Sequence, residues 1–215
     1  MVFQHKHTHS GCRWRRRKDA RPEEILDAAL KVFTEKGFAG TRLDEVARVA
    51  GISKGTLYLY FKSKQEIFEA AIQHTINPRL EQVEKLVSDD DGPAADLLTR
   101  LLREWWSYVT GSHISALPKL IIAESGNFPE LAEFFTRSIV RRTRQLFASV
   151  IQKGMDRSEF ISGDATTLAR LALAPMIQAV IWMHSLAPYD DPLDPGQYID
   201  THIQMFIDSI SMRRE

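Results

Sequence analysis

The 215-residue chain has one cysteine, Cys12, so it holds no intrachain disulfide framework, and such a composition suits a reducing compartment. A membrane-crossing run is missing too. The most apolar stretch, residues 171–187, contains Pro175, Gln178 and His184. It falls short of the ~20 apolar residues a spanning helix needs and reads as buried in protein. The N-terminus is polar and lacks the apolar segment of a signal peptide, so a cytoplasmic protein without a membrane partner is expected. No phosphate-binding glycine loop, HExxH pair, nucleophile elbow or dinucleotide fingerprint is present. Cys12 stands in a basic tract rather than near a folded histidine. An enzyme is therefore not expected, and neither is a cofactor. His5, His7 and His9 alternate on the same tract, but three histidines on a loose end are poor grounds for a metal site, and none is expected.

The last quantity lacking is net charge, which is formally zero. It hides a division. Residues 1–65 carry 14 Lys and Arg against 7 Asp and Glu, whereas residues 66–215 carry 14 against 21. A basic end on an acidic body suggests that only the first faces nucleic acid. Residues 1–19 concentrate Arg13, Arg15, Arg16, Arg17 and Lys18 without apolar periodicity, the pattern of a disordered arm that lies along phosphates, enters a minor groove or steers by charge alone. Strand-type alternation, internal repeats and low-complexity tracts are all absent. Apolar residues recur instead at three- and four-residue steps, which predicts an all-α fold of nine helices.

The first helix is predicted from Arg21 to Lys36, with Ile25, Leu26, Ala29, Val32 and Phe33 inward and Gly37 ending it. Thr41 is the expected N-cap of the second, with Asp44 three residues on completing a capping box. Gly51 ends that helix where a left-handed residue is least costly. Ser53 caps a third helix, Lys54 to about Tyr60, with Leu57 and Phe61 inward, and Ser63 to Glu66 opens another box. The short turn AGIS between helices two and three has helix-turn-helix length. Lys54, Thr56, Tyr58 and Tyr60 then face outward, and Gly55 lets the backbone approach a duplex. Hydroxyls and lysines are what phosphates and sugars accept from.

These residues resemble the TetR family of one-component transcriptional regulators. The resemblance covers roughly Glu24 to Phe68, and its most specific run is GISKGTLYLYFKSK. It implies a three-helix DNA-binding head (residues 20–65) and a helical regulatory and dimerisation body (residues 66–215). Gly37-Phe38 matches the family's glycine-aromatic pair. Thr41 and Arg42 fall where the family meets a phosphate, and Lys64 matches its phosphate-contacting lysine. Asp44 stands where relatives often carry a basic or polar base-contacting residue. As an acid it either accepts from a cytosine amino group or serves only as a cap, and the capping-box spacing favours the cap. The expected DNA-contacting set is thus Thr41, Arg42, Asp44, Ser53, Lys54, Gly55, Thr56, Tyr58, Tyr60 and Lys64.

In the body, residues 64–87 form an amphipathic helix that Pro78 is expected to kink or break. Asp89 to Pro93 is a loop, and Leu97 to Val109 forms a strongly apolar face ended by Gly111. A shorter helix over 114–125 is disturbed by Pro118. The next runs from Asn127 to about Met155, and PKLIIAESGNFPELAEFF resembles a C-terminal regulatory subgroup of the family. Helix eight, about Asp164 to Leu186, is apolar nearly all round, so it must be covered on two sides.

The family's two-fold dimer implies an interface from Leu173, Ile177, Ile181 and His184 with Ile203, Phe206 and Ile210 of helix nine. Two heads about 34–36 Å apart then read a palindromic operator. The family's small-molecule cavity would draw on Trp105, Trp106, Tyr108, Phe134, Phe135, Trp182 and Met183. Its polar anchors would come from His113, Glu124, Asn127 or His184, for an apolar or amphipathic effector. The expected function is a repressor released by that effector. The alternative is a ligand-independent DNA-binding, recruiting or activating protein with the same head.

Overall fold

The computed structural model describes residues 22–212, so the basic arm, its histidines and Cys12 lie outside the described residues. Among those described there are nine helices and no strand. The head comprises α1 (Pro22–Gly40), α2 (Leu43–Val49) and α3 (Lys54–Tyr60), followed by α4 (Lys64–Asp89) and α5 (Ala94–Thr110). A 3-10 turn (His113–Ala116) leads into α6 (Leu117–Glu124), where Pro118 occupies the first turn and disturbs nothing, its missing N–H being one that has no partner there anyway. Helix α7 consists of Pro129–Phe135 and Arg141–Asp156 joined by a π turn, Thr136–Val140, and α8 (Ala165–Met183) and α9 (Pro195–Ile210) complete the chain.

Local chemistry accounts for most of these boundaries. Ser53 accepts from the Thr56 amide, Ser63 from the Glu66 amide, Asp164 from those of Thr166 and Thr167, and Asp194 from those of Gly196 and Gln197. Each supplies an acceptor to first-turn amides that lack helical partners. Gly37 (φ 76°) breaks α1 before a last short turn to Gly40. Gly51 (φ 71°) ends α2 with a paired set of bonds, Ile52 N–H to Ala47 O at 2.9 Å and Gly51 N–H to Arg48 O at 3.2 Å.

Thr41 does not cap α2. Its hydroxyl turns inward and donates to the Gly37 carbonyl at 2.7 Å, leaving the residue 3% exposed, and Arg42 occupies the cap position without a side-chain bond. Pro78 does not break α4, which runs unbroken over 26 residues, about 39 Å at the usual rise per residue.

One apolar core runs through head and body. In the head Leu57 is fully buried, and Phe33, Phe38 and Phe68 meet with centroids 5.1–5.7 Å apart. Phe128, from the loop between α6 and α7, joins them 4.8 Å from Phe38. Beside it the Glu124 carboxylate accepts from the Ala39 amide at 2.9 Å, so the body grips the end of α1 as well as continuing from α4. In the body Arg142 of α7 bridges both carboxylate oxygens of Glu84 on α4 and donates to Asn77.

By length and composition α8 suffices to cross a membrane. In this fold its Ala169, Ala172, Met176, Ala179 and Val180 are buried in the core.

Candidate nucleic-acid interface and body cavity

The outward surface of the head gathers around α3. Leu57 points into the core, and a residue two positions on lies about 200° round the helix, so it must point out. Leu59 does so, 85% exposed between Tyr58 and Tyr60, which are each close to half exposed. It was not among the expected contacts, although the inward spacing of Leu57 and Phe61 contained the signal. Arg42, Lys54 and Gly55 are also exposed.

Asp44 and Lys54 meet across the helix-turn-helix, with Oδ1 and Nζ 2.7 Å apart. The hydrogen bond from Lys54 draws the Asp44 carboxyl below its usual range, and the same bond raises the Lys54 ammonium. Asp44 is therefore an ion-pair partner rather than the cap its spacing suggested.

Ser53 and Thr56 share a hydroxyl–hydroxyl bond at 2.8 Å, and both belong chiefly to the cap of α3. Lys64 already has partners within the head. Its ammonium donates inward to three carbonyls at the end of α1 and the turn after it, and burial lowers its pKa.

In the body a cavity of about 100 Å³ lies between α4, α5, α6 and α7. Its walls are apolar, with Ile76, Leu80 and Val83 from α4 and Leu101, Trp105 and Val109 from α5, while Arg79, Glu104 and Tyr108 bring polarity. Arg79 and Glu104 pair at 3.0 Å, and the Tyr108 hydroxyl donates to the Thr75 carbonyl of α4 at 2.9 Å. Phe135, just before the π turn, and Ile139, within it, complete the wall; such turns are frequent at functional sites.

Of the residues expected to line a cavity, Trp105, Tyr108 and Phe135 do so. Trp106 stacks on Tyr198 of α9 instead, Phe134 is buried elsewhere, and His113 and Asn127 are exposed. Glu124 is committed to the head, as described. Met183 packs partly buried against the core and does not line the cavity, and Trp182 faces a separate hollow on the outside of α8.

That hollow is lined by Ala174, Ile177, Gln178, Ile181, Trp182, Ser185 and Leu186 and is almost wholly apolar. It contains two of the expected dimer residues, Ile177 and Ile181. Leu173, Ile203, Phe206 and Ile210 are instead buried inside the subunit. They are core residues, not a free face. His184 is partly buried, and burial followed by the nearby Lys119 charge lowers its pKa.

A short second helix, a glycine turn and an exposed third helix define a helix-turn-helix DNA-binding regulator. Residues 25–71 match the family model of the bacterial regulatory proteins of the tetR family. Residues 96–210, more than half of the chain, match the C-terminal domain of AefR-like transcriptional repressors. The chain belongs to the TetR family of transcriptional regulators. It is 25% identical over 177 residues to the fatty acid metabolism regulator protein of Bacillus subtilis (strain 168), covering 80% of this chain and 90% of that one.

Among solved structures, FadR from Bacillus subtilis in complex with stearoyl-CoA superposes with a TM-score of 0.70 at 20% identity, over 88% of this chain and 100% of that one. SmeT, the repressor of the Stenotrophomonas maltophilia multidrug efflux pump SmeDEF, gives 0.70 at 20% identity over 90% and 92%. At such identities these structures speak for the fold alone. The family is one of transcriptional regulators, not enzymes.

Proposed function

We propose that the chain acts as a cytoplasmic homodimeric repressor, bound to a palindromic operator and released when an apolar or amphipathic small molecule fills the cavity between α4 and α7. The observation that carries this reading is the double duty of α4. The same unbroken helix walls the cavity with Ile76, Leu80 and Val83 and begins at Lys64, directly after the exposed α3. A molecule that widens the cavity therefore displaces the helix that carries the heads.

The cavity's size supports this form of the mechanism. About 100 Å³ is less than the ~300–1,000 Å³ of sites for drug-sized ligands, so a ligand of that size must push the helices apart. Reversing occupancy from 1:99 to 99:1 takes about 5.5 kcal/mol of differential affinity between the two arrangements. The free apolar hollow of α8 around Ile177, Ile181 and Trp182 is the surface we assign to the second subunit, and residues 1–19 are assigned to an arm along the duplex.

The small cavity also gives the alternative reading its footing, a DNA-binding or recruiting protein with the same head and no effector. Operator release separates the two. The operator is first selected from random duplexes, and the complex is then titrated with acyl-CoA thioesters of increasing chain length, the ligand class in the Bacillus subtilis FadR structure. Chain-length-dependent release supports the effector reading. An operator complex indifferent to these and to a broader panel of amphiphiles supports the alternative.

A further inference from the structure

The head presents one exposed ion pair that neither the fold nor the family assignment explains. Asp44 of α2 and Lys54 of α3 lie 2.7 Å apart, and their side chains are 54% and 56% exposed. Exposed pairs of this kind add little to stability, so the bridge is poorly accounted for as a bolt between two helices already joined by the buried Val46, Ala47, Ile52 and Leu57. A carboxylate on the outward face of a DNA-binding head is also unfavourable, since it faces the charge of the phosphates. It repays its place only where a base edge offers it a donor.

The major groove has one such place beside an acceptor that suits a lysine. In a G·C pair the cytosine amino group donates and guanine O6 and N7 accept. Cytosine N4 and guanine O6 are bonded to each other, so they lie about 2.9 Å apart, close to the spacing of the protein pair.

The donor count also closes. The Lys54 ammonium has three N–H groups; one goes to Asp44 Oδ1 and two remain for O6 and N7. Asp44 keeps Oδ2 to accept from N4.

We propose that Asp44 and Lys54 act as one unit that reads a single G·C base pair in each half-site. The proposal rests on sequence-specific duplex binding by the head. It names the base pair which that site selects. Gly55, next to Lys54 and exposed, leaves room for the backbone to come close enough for both side chains to reach the same pair.

The test is a binding-site selection from randomised duplexes with the full-length chain and its Asp44→Ala and Lys54→Met variants. Thermal melts confirm that both variants are folded. The wild type is expected to enrich a motif with a fixed G·C pair, favoured by about ten- to a hundredfold. Each variant should lose the preference at that position and keep it elsewhere. Replacing that guanine with 7-deazaguanine removes N7, which should weaken the wild type and leave Lys54→Met unaffected. A purely structural role for the bridge would not produce this pattern.

Two outcomes overturn the idea. If both variants retain the wild-type motif while Lys54→Met lowers the salt slope by about one, Lys54 sits on a phosphate and base reading is wrong. If the wild type enriches no motif at all, sequence-specific binding itself fails and takes the proposal with it.

Discussion

The Lys64 ammonium lies 2.7 Å from the carbonyl oxygen of Phe38 and 4.6 Å above that residue's ring. It also donates to the carbonyls of Thr41 at 3.2 Å and Ala39 at 3.3 Å, so its three N–H donors all serve the end of α1. The first residue of α4 thereby closes the C-terminal end of α1, where carbonyls lack helical partners.

Lys64→Met keeps the aliphatic stem and removes those donors. The expected cost is about 1–2 kcal/mol, read as a lower urea midpoint at unchanged slope. The salt dependence of duplex binding should stay as it was, because a donor already spent inside the protein releases no counterion. A lysine on a phosphate would instead account for about 0.9 of the slope. Measuring the binding constant across a salt series decides between the two.

Ile181 and Phe206 were both expected at the dimer face, and the structure sets them apart. Ile181 lines the open hollow of α8, whereas Phe206 is 9% exposed within the subunit's core. Ile181→Glu should therefore give a folded monomer in sedimentation velocity, with a melting temperature close to that of the separated subunit. Phe206→Glu buries an unpaired carboxylate and should unfold the body, with loss of far-UV ellipticity. A folded monomer from Phe206→Glu would instead place Phe206 at the subunit interface.

Asp164 caps α8 and titrates as part of that cap. The Thr167 hydroxyl bond, then the Thr167 amide, hold its carboxyl below the usual 3.8. A carboxyl with a depressed folded pKa contributes stability that is present above the unfolded value and lost as pH falls through the folded one. Asp164→Ala should lower stability at pH 7, because two first-turn amides lose their acceptor. The gap between wild type and variant should narrow below about pH 4 as the wild-type cap protonates. Urea denaturation at pH 7 and pH 3 measures both ends.

What could be read in advance follows from how far apart the partners lie. Gly51, Ser53 and Leu57 were legible because turn, cap and inward face are set within a few residues. Thr41 was not, since its acceptor, Gly37, lies back in the preceding helix and outbids the local cap. Lys64 bonds to carbonyls 23 to 26 residues earlier, which no local pattern indicates.

Along α8, apolar residues on every side hide which side is free, and that is settled by where α7 packs on it and where α9 bonds to it through Tyr198 and His202. Adjacent Trp105 and Trp106 could not be ranked from sequence either. Tyr198 of α9 takes Trp106 as its stacking partner and leaves Trp105 for the cavity.

Tyr108 joins the cavity to the stretch of α4 just before Pro78. Pro78 has no N–H, so the His74 carbonyl one turn earlier loses its helical donor. The next carbonyl, that of Thr75, is where the Tyr108 hydroxyl binds. Tyr108→Phe preserves the ring against the cavity and removes only this anchor. Stability should fall by about 0.5–1.5 kcal/mol. The α4 amides just after Thr75 should exchange faster with solvent, while those near Lys64 remain as protected as before. Faster exchange confined to that stretch, with weaker ligand-free duplex binding, would mark Tyr108 as the tie that keeps α4 in its DNA-competent position. Unchanged exchange would mean that α4 is held by its packing against α1 and α7 alone, and that the cavity acts on the heads through some contact other than this hydroxyl.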